Sequence, residues 1–506
     1  MDRLILAHDL GTSANKATLF SAAGELIASE THPYESVFGP GGVAEQNPED
    51  WWTAVCASTR KLLADRDASR VVAIAFSGMM QGCLCVDRDG KPLRPHMLYC
   101  DQRAIVEAER LRDRAGSDTV YRITGNAASA INSGSKYMWV KDHEPDIYRA
   151  THKVLNAKDY MNFKLTGRLA TDPTDASGTN LYDLEEWTWS EELVEAAELD
   201  MRIFPDIVPS TDVLGELTRE AALTLGLKAG IPVMGGAADG MCAGVGAGSV
   251  APGRAYTCIG SSAWVGTTTT KPLLDPKQRT ITFAHAVPGL FHPLATMLAG
   301  GSVYAWLSRI MCGEERERGG REGVSPYELM NRLAAESPPG ANGLVFLPHL
   351  MGERSPRWNS LARGGFVGLA MTSGRADMIR AVMEGVAFNL GLSVDVFKEL
   401  GENFDRVVMI GGGAKGALWR QIVADVYGAE VLRSSYLDEA TSIGAAIIAG
   451  IGAGIYKDFS VAGNFFSIVD RTPPKPENVP VYARQKALFN DVYEALEPLF
   501  PRFADA

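Results

Sequence analysis

Seven cysteines in 506 residues, an odd number with no CxxC pair, give no disulfide framework. A reducing compartment is the expectation. The eight histidines form no HExxH or comparable cluster, which excludes a recognisable histidine metal site. No apolar run reaches the ~20 residues of a membrane span. The apolar strand pattern begins at Leu4 and leaves no room for a signal peptide, so the cytoplasm is the expected location. Positive charge is in deficit. With 49 Lys and Arg against 61 Asp and Glu, the net charge is −12, which argues against nucleic acid as the main partner. It leaves room for a small anion held by a local glycine loop.

What remains is an ordinary globular composition, 46% hydrophobic and 22% charged, in a chain too long for one core. The most telling segment is Leu4–Lys16, LILAHDLGTSANK. A buried strand runs into Asp9, then a tight turn of Gly11, Thr12 and Ser13, then Lys16. The glycine lets backbone approach an anion closely, and N–H groups and hydroxyls can donate to phosphate oxygens. The acid can hold a magnesium ion that bridges those oxygens. Asp-x-Gly-Thr also occurs in simple hairpins, so the segment gains weight from a related arrangement near Gly260.

The first half reads as strands Leu4–His8, Lys16–Phe20 and Glu25–Glu30, then a helix Pro48–Ala64 capped by Asn47. A buried strand Arg70–Phe76 ends at Ser77-Gly78. Cys83 and Cys85 read as strand packing. Ile105–Ala115 and Ser135–His143 read as helices. Ile231–Gly236 is a strand that leads into Asp239 and a small-residue helix, Gly240–Gly246. Beyond a hinge at Ala251-Pro252-Gly253 the plan returns. Arg254–Cys258 and Ala263–Thr268 are strands around the turn Gly260–Ser262. Ala376–Leu400 is a long helix. Arg406–Ile410 is a strand ending in Gly411-Gly412-Gly413. Ala417–Tyr427 is a helix, Glu430–Arg433 a strand and Ala440–Ala449 a small-residue helix. Gly313–Gly323 reads as an exposed loop, and a linker Pro473–Pro480 leads to a last helix, Tyr482–Leu499. The repeat is one of topology rather than of sequence identity. The expected domains are 1–250 and 251–506. Two such α/β halves suggest an actin-like, ribonuclease-H-like pair facing a central cleft, with a nucleotide between them.

Asp239 follows a buried strand and precedes a helix of tiny residues. Read locally, an N-cap comes first. In the company of the phosphate turns it reads as the base that accepts a proton from a substrate hydroxyl during phosphoryl transfer. Met80 and Gln81 lie just beyond the end of the strand at Ser77-Gly78, where Gln81 can exchange hydrogen bonds with sugar hydroxyls; a core methionine pair beside an exposed glutamine is the equal alternative. Asp101 with Arg103 is either a polar substrate contact or a helix cap with its ion pair. The glycine run at 411–413 admits a flat base or a phosphate against bare backbone. GGGAKG is not the GxGxxG of a first βαβ unit, and a dinucleotide fold is disfavoured.

Together these segments resemble the FGGY family of carbohydrate kinases over nearly the whole chain. Gly364–Glu384, GGFVGLAMTSGRADMIRAVME, fits the family's C-terminal pattern, and Ile131–His143, INSGSKYMWVKDH, fits the N-terminal pattern except at Ile131. SGMMQGCLCVD, LRPHMLYCDQRA, NAKDYMNFKLTG and GGGAKGALWRQIVADVYG look like segments of the xylulokinase branch. The resemblance implies ATP and Mg²⁺ as cofactors. It makes Asp9 the magnesium and phosphate acid and Thr12, Ser13 and Lys16 the γ-phosphate turn. It makes Asp239 the base, Gly260 and Ser261 the second phosphate turn, and Gly412, Gly413 and Ala414 the adenosine segment. Met80, Gln81 and Asp101 would meet the sugar along with Asp239. Xylulokinases typically have Met-His where this chain has Met80-Gln81, and Ser261 stands where threonine is usual. The expected reaction is ATP-dependent phosphorylation of a small sugar hydroxyl, a ketopentose such as D-xylulose. Other ketoses, polyols and aldonic acids stay open. A non-catalytic actin-like nucleotide-binding protein is the reading from another class. The expected partners are sugar and ATP, without nucleic acid or membrane. A homodimer is compatible with the sequence.

Overall fold

The computed structural model describes residues 3–504. Along the chain, the elements that place the functional residues are β1 (Leu4–Leu10), β2 (Ala14–Ser21), β3 (Leu26–Pro33), β4 (Val43–Gln46), α1 (Pro48–Leu63), β5 (Val71–Gly78), α2 (Ala157–Thr166), β6 (Val213–Glu216), β7 (Pro232–Met234), β8 (Ala237–Ala238) and α3 (Asp239–Gly246). They continue as β9 (Ala255–Ile259), β10 (Ala263–Thr267), β11 (Phe291–Met297), α4 (Gly301–Met311), α5 (Gly313–Glu322), α6 (Arg375–Glu399), β12 (Arg406–Ile410), α7 (Ala417–Tyr427), β13 (Glu430–Ser434), α8 (Ala440–Gly452), β14 (Ile468–Thr472) and α9 (Val479–Leu496).

The chain forms two compact units of mixed α/β structure. One comprises Met1–Pro252, Thr268–Pro293 and Glu439–Phe466, and the other Gly253–Thr267, Leu294–Asp438 and Ser467–Ala506. A split of the chain at 250/251 is therefore not the split by compactness, because two segments of the second half belong to the first unit.

The sheet of the first unit runs β3-β2-β1-β5-β7-β6, with β8 also paired to β5. The hairpins β1–β2 and β2–β3 are antiparallel, β5 lies parallel to β1, and β6 closes the far edge antiparallel to β7. In the second unit, strands run β11-β10-β9-β12-β13-β14 with the same sequence of senses. The topological repeat expected from the sequence is thus present over these six strands.

β1 is buried on both faces, from Leu4 to Ala7 and again at Leu10. That double burial is the reason for its near-continuous apolar run. On one side it meets the cluster of Leu19, Trp51, Val55, Ile74 and Phe76. α8, with Ala445, Ala446 and Gly444 on its buried face, packs on β1, β5 and α3. Small residues permit this approach. A Cβ at Gly444 would stand 2.1 Å from the carbonyl oxygen of Cys242, and one at Gly246 would stand 1.9 Å from that of Ala440.

One expected loop is a helix. Gly313–Glu322 forms α5 despite three glycines. Its charged residues are good helix formers. Glu314 and Glu315 sit in the first turn, Arg318 bonds Glu322 one turn on at 2.7 Å, and Gly323 ends the helix in the left-handed conformation. Arg375 also pairs with Glu315 and ties α5 to the start of α6. Among the described residues, no helix is long and apolar enough to cross a membrane.

Candidate active site

Three neighbouring strands of the first unit end at one edge. The register pairs Asp9 with Ser77 and Leu10 with Gly78, and pairs Ala237 and Ala238 with the same two residues. Asp9 and Asp239 therefore flank the end of β5, at the carboxyl ends of parallel strands where α/β proteins place ligands. The peptide after β5 is fixed by a bond from Met79 N–H to Leu10 O at 2.9 Å, and the chain then presents Met80 and Gln81. Gln81 adopts φ +64°, unusual for a residue with a side chain. The buried ammonium of Lys136 donates to its carbonyl at 3.1 Å.

Gly178 backs this segment, since a Cβ there would lie 2.7 Å from Met80 Cε and 3.1 Å from Gln81 Cγ. The unit thus gathers Asp9, Thr12, Ser13, Lys16, Met80, Gln81 and Asp239. Lys16 is the cross-strand partner of Asp9.

Asp239 opens α3 rather than capping it. Ala238 occupies the cap position, and the Asp239 carboxylate accepts the Gly240 N–H at 2.7 Å. Burial first, then the negative charge of Asp9, push the Asp239 carboxyl up to about 7. Such a shift, produced by desolvation and a like charge, is what a general base near neutrality requires. Asp9 is partly exposed, and its Oδ2 accepts from Thr441 Oγ1 at 2.6 Å. Thr441 comes from α8, far along the chain, and nothing in its local sequence signals this contact.

A buried ion cluster stands behind Asp239. Lys158 Nζ lies 2.6, 2.8 and 3.0 Å from Asp159, Asp172 and Asp175. Asp172 accepts from Thr174 Oγ1 at 2.8 Å and from Ser210 Oγ at 2.7 Å. Thr174 Oγ1 in turn accepts the N–H of Ala238 at 2.8 Å. Lys158 also underlies Gly78, where a Cβ would meet Lys158 Cβ at 2.8 Å. Sequence reading missed this set, because isolated Lys and Asp residues on short helices look like surface charge.

Asp101 is fully buried. Burial pushes its carboxyl upward, but bonds from Arg103 and from the Ala44 N–H hold it below the usual range. Both of its oxygens serve protein partners, so the ion-pair reading of this residue is realised. A sugar contact would have to be made alongside Arg103.

The second unit gathers the remaining candidates. Parallel pairing sets Cys258 beside Ile410, just before Gly260 and Gly411. A Cβ on Gly411 would stand 2.7 Å from Ile259 O, and one on Gly413 2.7 Å from Ile259 Cβ. Gly412, Gly413 and Ala414 thus lie against the turn that carries Gly260 and Ser261. Arg420 Nη1 donates to Ala414 O at 2.6 Å and fixes that segment. The second turn is held by the start of α4, where Gly301 N–H donates to Gly260 O at 2.6 Å and Gly300 N–H to Ser261 O at 2.9 Å. The Gly300-Gly301 pair after a strand was the available signal for this support.

With this geometry in place, likeness to known proteins decides the family. The profile described as the FGGY family of carbohydrate kinases, N-terminal domain, matches residues 4–246, and that of the C-terminal domain matches residues 255–453. The chain belongs to the FGGY family of carbohydrate kinases. It is 31% identical to the xylulose kinase of Bacillus subtilis over 494 residues, 97% of each chain. It is 30% identical to the gluconokinase of the same organism, over 100% of this chain and 98% of the other. The crystal structure of xylulose kinase from Rhodospirillum rubrum superimposes with a TM-score of 0.90 at 30% identity, covering 98% of this chain and 100% of that one. The FGGY chain is therefore a sugar kinase with the two-domain actin-like fold, and its relatives place it near the xylulokinases.

Proposed function

We propose that this kinase transfers the γ-phosphoryl group of ATP to a hydroxyl of a ketopentose such as D-xylulose, with Asp239 as base and Asp9 as the magnesium acid. The observation that carries the reading is the Asp9–Asp239 pair at the ends of the two strands that flank the end of β5, with Asp239 raised to about 7. A carboxylate of that basicity holds the substrate hydroxyl by its proton, aligns its oxygen and accepts the proton as the O–P bond forms.

The donor set fits magnesium. Mg²⁺ is commonly bound through one or two carboxylates plus substrate phosphates, rather than by an all-protein cage. No cluster of three or more His, Cys, Asp or Glu suited to a metal exists among the described residues. Asp9 would hold the ion, which neutralises phosphate charge when bound. The turn 11–13 with Lys16, Gly260 with Ser261, and Gly412, Gly413 and Ala414 supply the phosphate and adenosine contacts in this reading. Met80, Gln81 and Asp101 supply the sugar contacts.

Gluconate is the second substrate reading. It is favoured by Gln81 standing where xylulokinases have histidine and by the gluconokinase relative that matches 100% of this chain. The test is a coupled ADP-release screen over D-xylulose, other pentuloses, polyols and gluconate. Turnover with none of them would favour a nucleotide-binding protein that transfers no phosphate.

Two variants sharpen the reading. Asp9→Ala should weaken use of Mg-ATP by at least the roughly 10–100-fold that losing an outer-shell partner of a metal ligand costs. Affinity for the best substrate of the screen, measured by calorimetry, should stay near the parent's, and loss of sugar binding alone would contradict the assignment. Gln81→His should shift preference towards D-xylulose. An unpaired buried polar group costs about 1–3 kcal/mol, enough to reorder related sugars. The kcat/KM ratio for D-xylulose over gluconate reads this directly, and an unchanged ratio would remove Gln81 from the sugar site.

A further inference from the structure

We infer that Gln46, with its amide oriented by Trp51, is a positioning residue for the phosphate turn at residues 11–14; the inference rests on the nucleotide reading of that turn. Gln46 ends β4 and is buried, as is Trp51 on α1. Its Nε2 donates to Thr12 O at 2.6 Å and to Ser36 Oγ at 2.8 Å. Its Oε1 accepts the Trp51 indole N–H at 2.9 Å.

An indole nitrogen only donates, so it dictates which end of the amide faces it. With Oε1 on the indole, the NH₂ must face the turn, where the Thr12 carbonyl needs a donor. Tyr34 completes the arrangement. Its hydroxyl donates to Gly11 O and, at 3.2 Å, to Ala14 O, and its backbone N–H donates to Ser13 O at 3.1 Å.

Every carbonyl oxygen of the turn is thus engaged from the protein side. This matters because a carbonyl facing a phosphate repels it, whereas N–H and hydroxyl groups attract it. The same short strand reaches the other candidate contact. Ala44 N–H donates to Asp101 Oδ2 at 2.8 Å, and Glu45 accepts from Arg103 at 2.6 Å. Gln46 is the member of β4 that sets the phosphate end.

In the γ-phosphate reading of the turn it meets the terminal phosphate alone, so the test contrasts two nucleotides. Calorimetry with Mg²⁺ and either ADP or the non-hydrolysable β,γ-imido analogue of ATP is run on the parent and on Gln46→Met, which keeps the volume and loses the donor. We expect the imido analogue to bind ~10-fold more weakly to the variant, the scale of losing a supporting contact. ADP affinity should change less than twofold. Trp51→Phe, which keeps the ring and loses the N–H, should show the same contrast in weaker form, and it serves if Gln46→Met does not fold. Equal affinity of parent and variant for the imido analogue would overturn the proposal. So would an equal loss for both nucleotides, which reports general damage. Failure of the nucleotide reading itself looks different: a parent that binds neither compound, in which case the positioning role falls with it.

Discussion

Replacing Asp239 by asparagine should lower turnover by about 10²–10⁴-fold, the usual worth of a positioned general base, and leave nucleotide affinity near the parent's. Asparagine keeps the shape and keeps an oxygen for the Gly240 N–H, so the start of α3 stays intact. What it loses is the ability to take a proton. Near-normal turnover of the variant would reduce Asp239 to a residue of the helix start.

The pH dependence follows from the same group. The base acts when ionised, so kcat/KM of the parent should climb as pH rises through about 7 and fall below it. Burial and the Asp9 charge set that value. Saturating Mg²⁺ at Asp9 offsets the second cause and should move the limb to lower pH. Asp239→Asn should flatten what remains of the profile.

Stability carries the opposite sign. A carboxyl whose pKa rises on folding binds its proton more tightly in the folded state. Its favourable contribution is full below the unfolded value of 3.8 and is lost as pH rises to about 7. Above pH 7 the Asn variant should therefore melt higher than the parent, by roughly 1–2 °C for each ~1 kcal/mol in a unit of about 300 residues. A variant that melts lower at pH 8 would mean that the carboxylate is stabilised rather than strained in its site.

Much of this arrangement is legible in sequence where a local pattern and its tertiary use coincide. β12 and α7 have the bounds that their patterns give, Arg406–Ile410 and Ala417–Tyr427. α1 begins at Pro48 with Asn47 accepting the Glu49 N–H at 3.3 Å, as its cap signature requires. The DLGTS turn sits between antiparallel strands because a near-continuous apolar run meets a glycine.

Legibility ends where a role depends on partners distant in the chain. Thr441 reaches Asp9 from 432 residues away. Gln46 looks like loop polarity until Trp51 and Thr12 close around it. α5 was hidden for another reason: its glycines argue for a loop, and only the pairs Arg318–Glu322 and Arg375–Glu315 tip the balance. Asp101 shows ambiguity of chemistry rather than of place, since one carboxylate can serve both an arginine and a sugar.

The buried cluster behind Asp239 makes the largest claim on stability. Lys158→Met should destabilise the protein by about 3–5 kcal/mol, the cost of leaving buried charge without its partner. The parent lysine faces three carboxylates at full burial. Burial lowers its affinity for a proton, but the charges of Asp159, Asp172 and Asp175 hold its pKa well above the usual value.

The carboxylates divide in their support. Asp172 takes bonds from Thr174 and Ser210, and Asp159 takes the Asn156 N–H at 3.1 Å. For Asp175, burial pushes the carboxyl well above its ordinary range despite the nearby lysine. Burial likewise raises Asp159. Groups raised on folding are most favourable below their unfolded pKa of 3.8, and they lose that contribution as pH climbs through the folded value. Removing the lysine raises them further. The deficit of Lys158→Met in urea unfolding should therefore be smaller at pH 5 than at pH 8.

Asp175→Asn gives the matching control. If Asp175 is held neutral, asparagine replaces it at a cost of less than about 1 kcal/mol. A deficit for Lys158→Met that is equal at both pH values, or an Asp175→Asn variant as unstable as Lys158→Met, would mean that all three carboxylates stay ionised around the lysine. With the cluster intact, Thr174 keeps its bond to Ala238 N–H and α3 starts in place. Lys158→Met should then cost turnover as well as stability, through the displacement of Asp239.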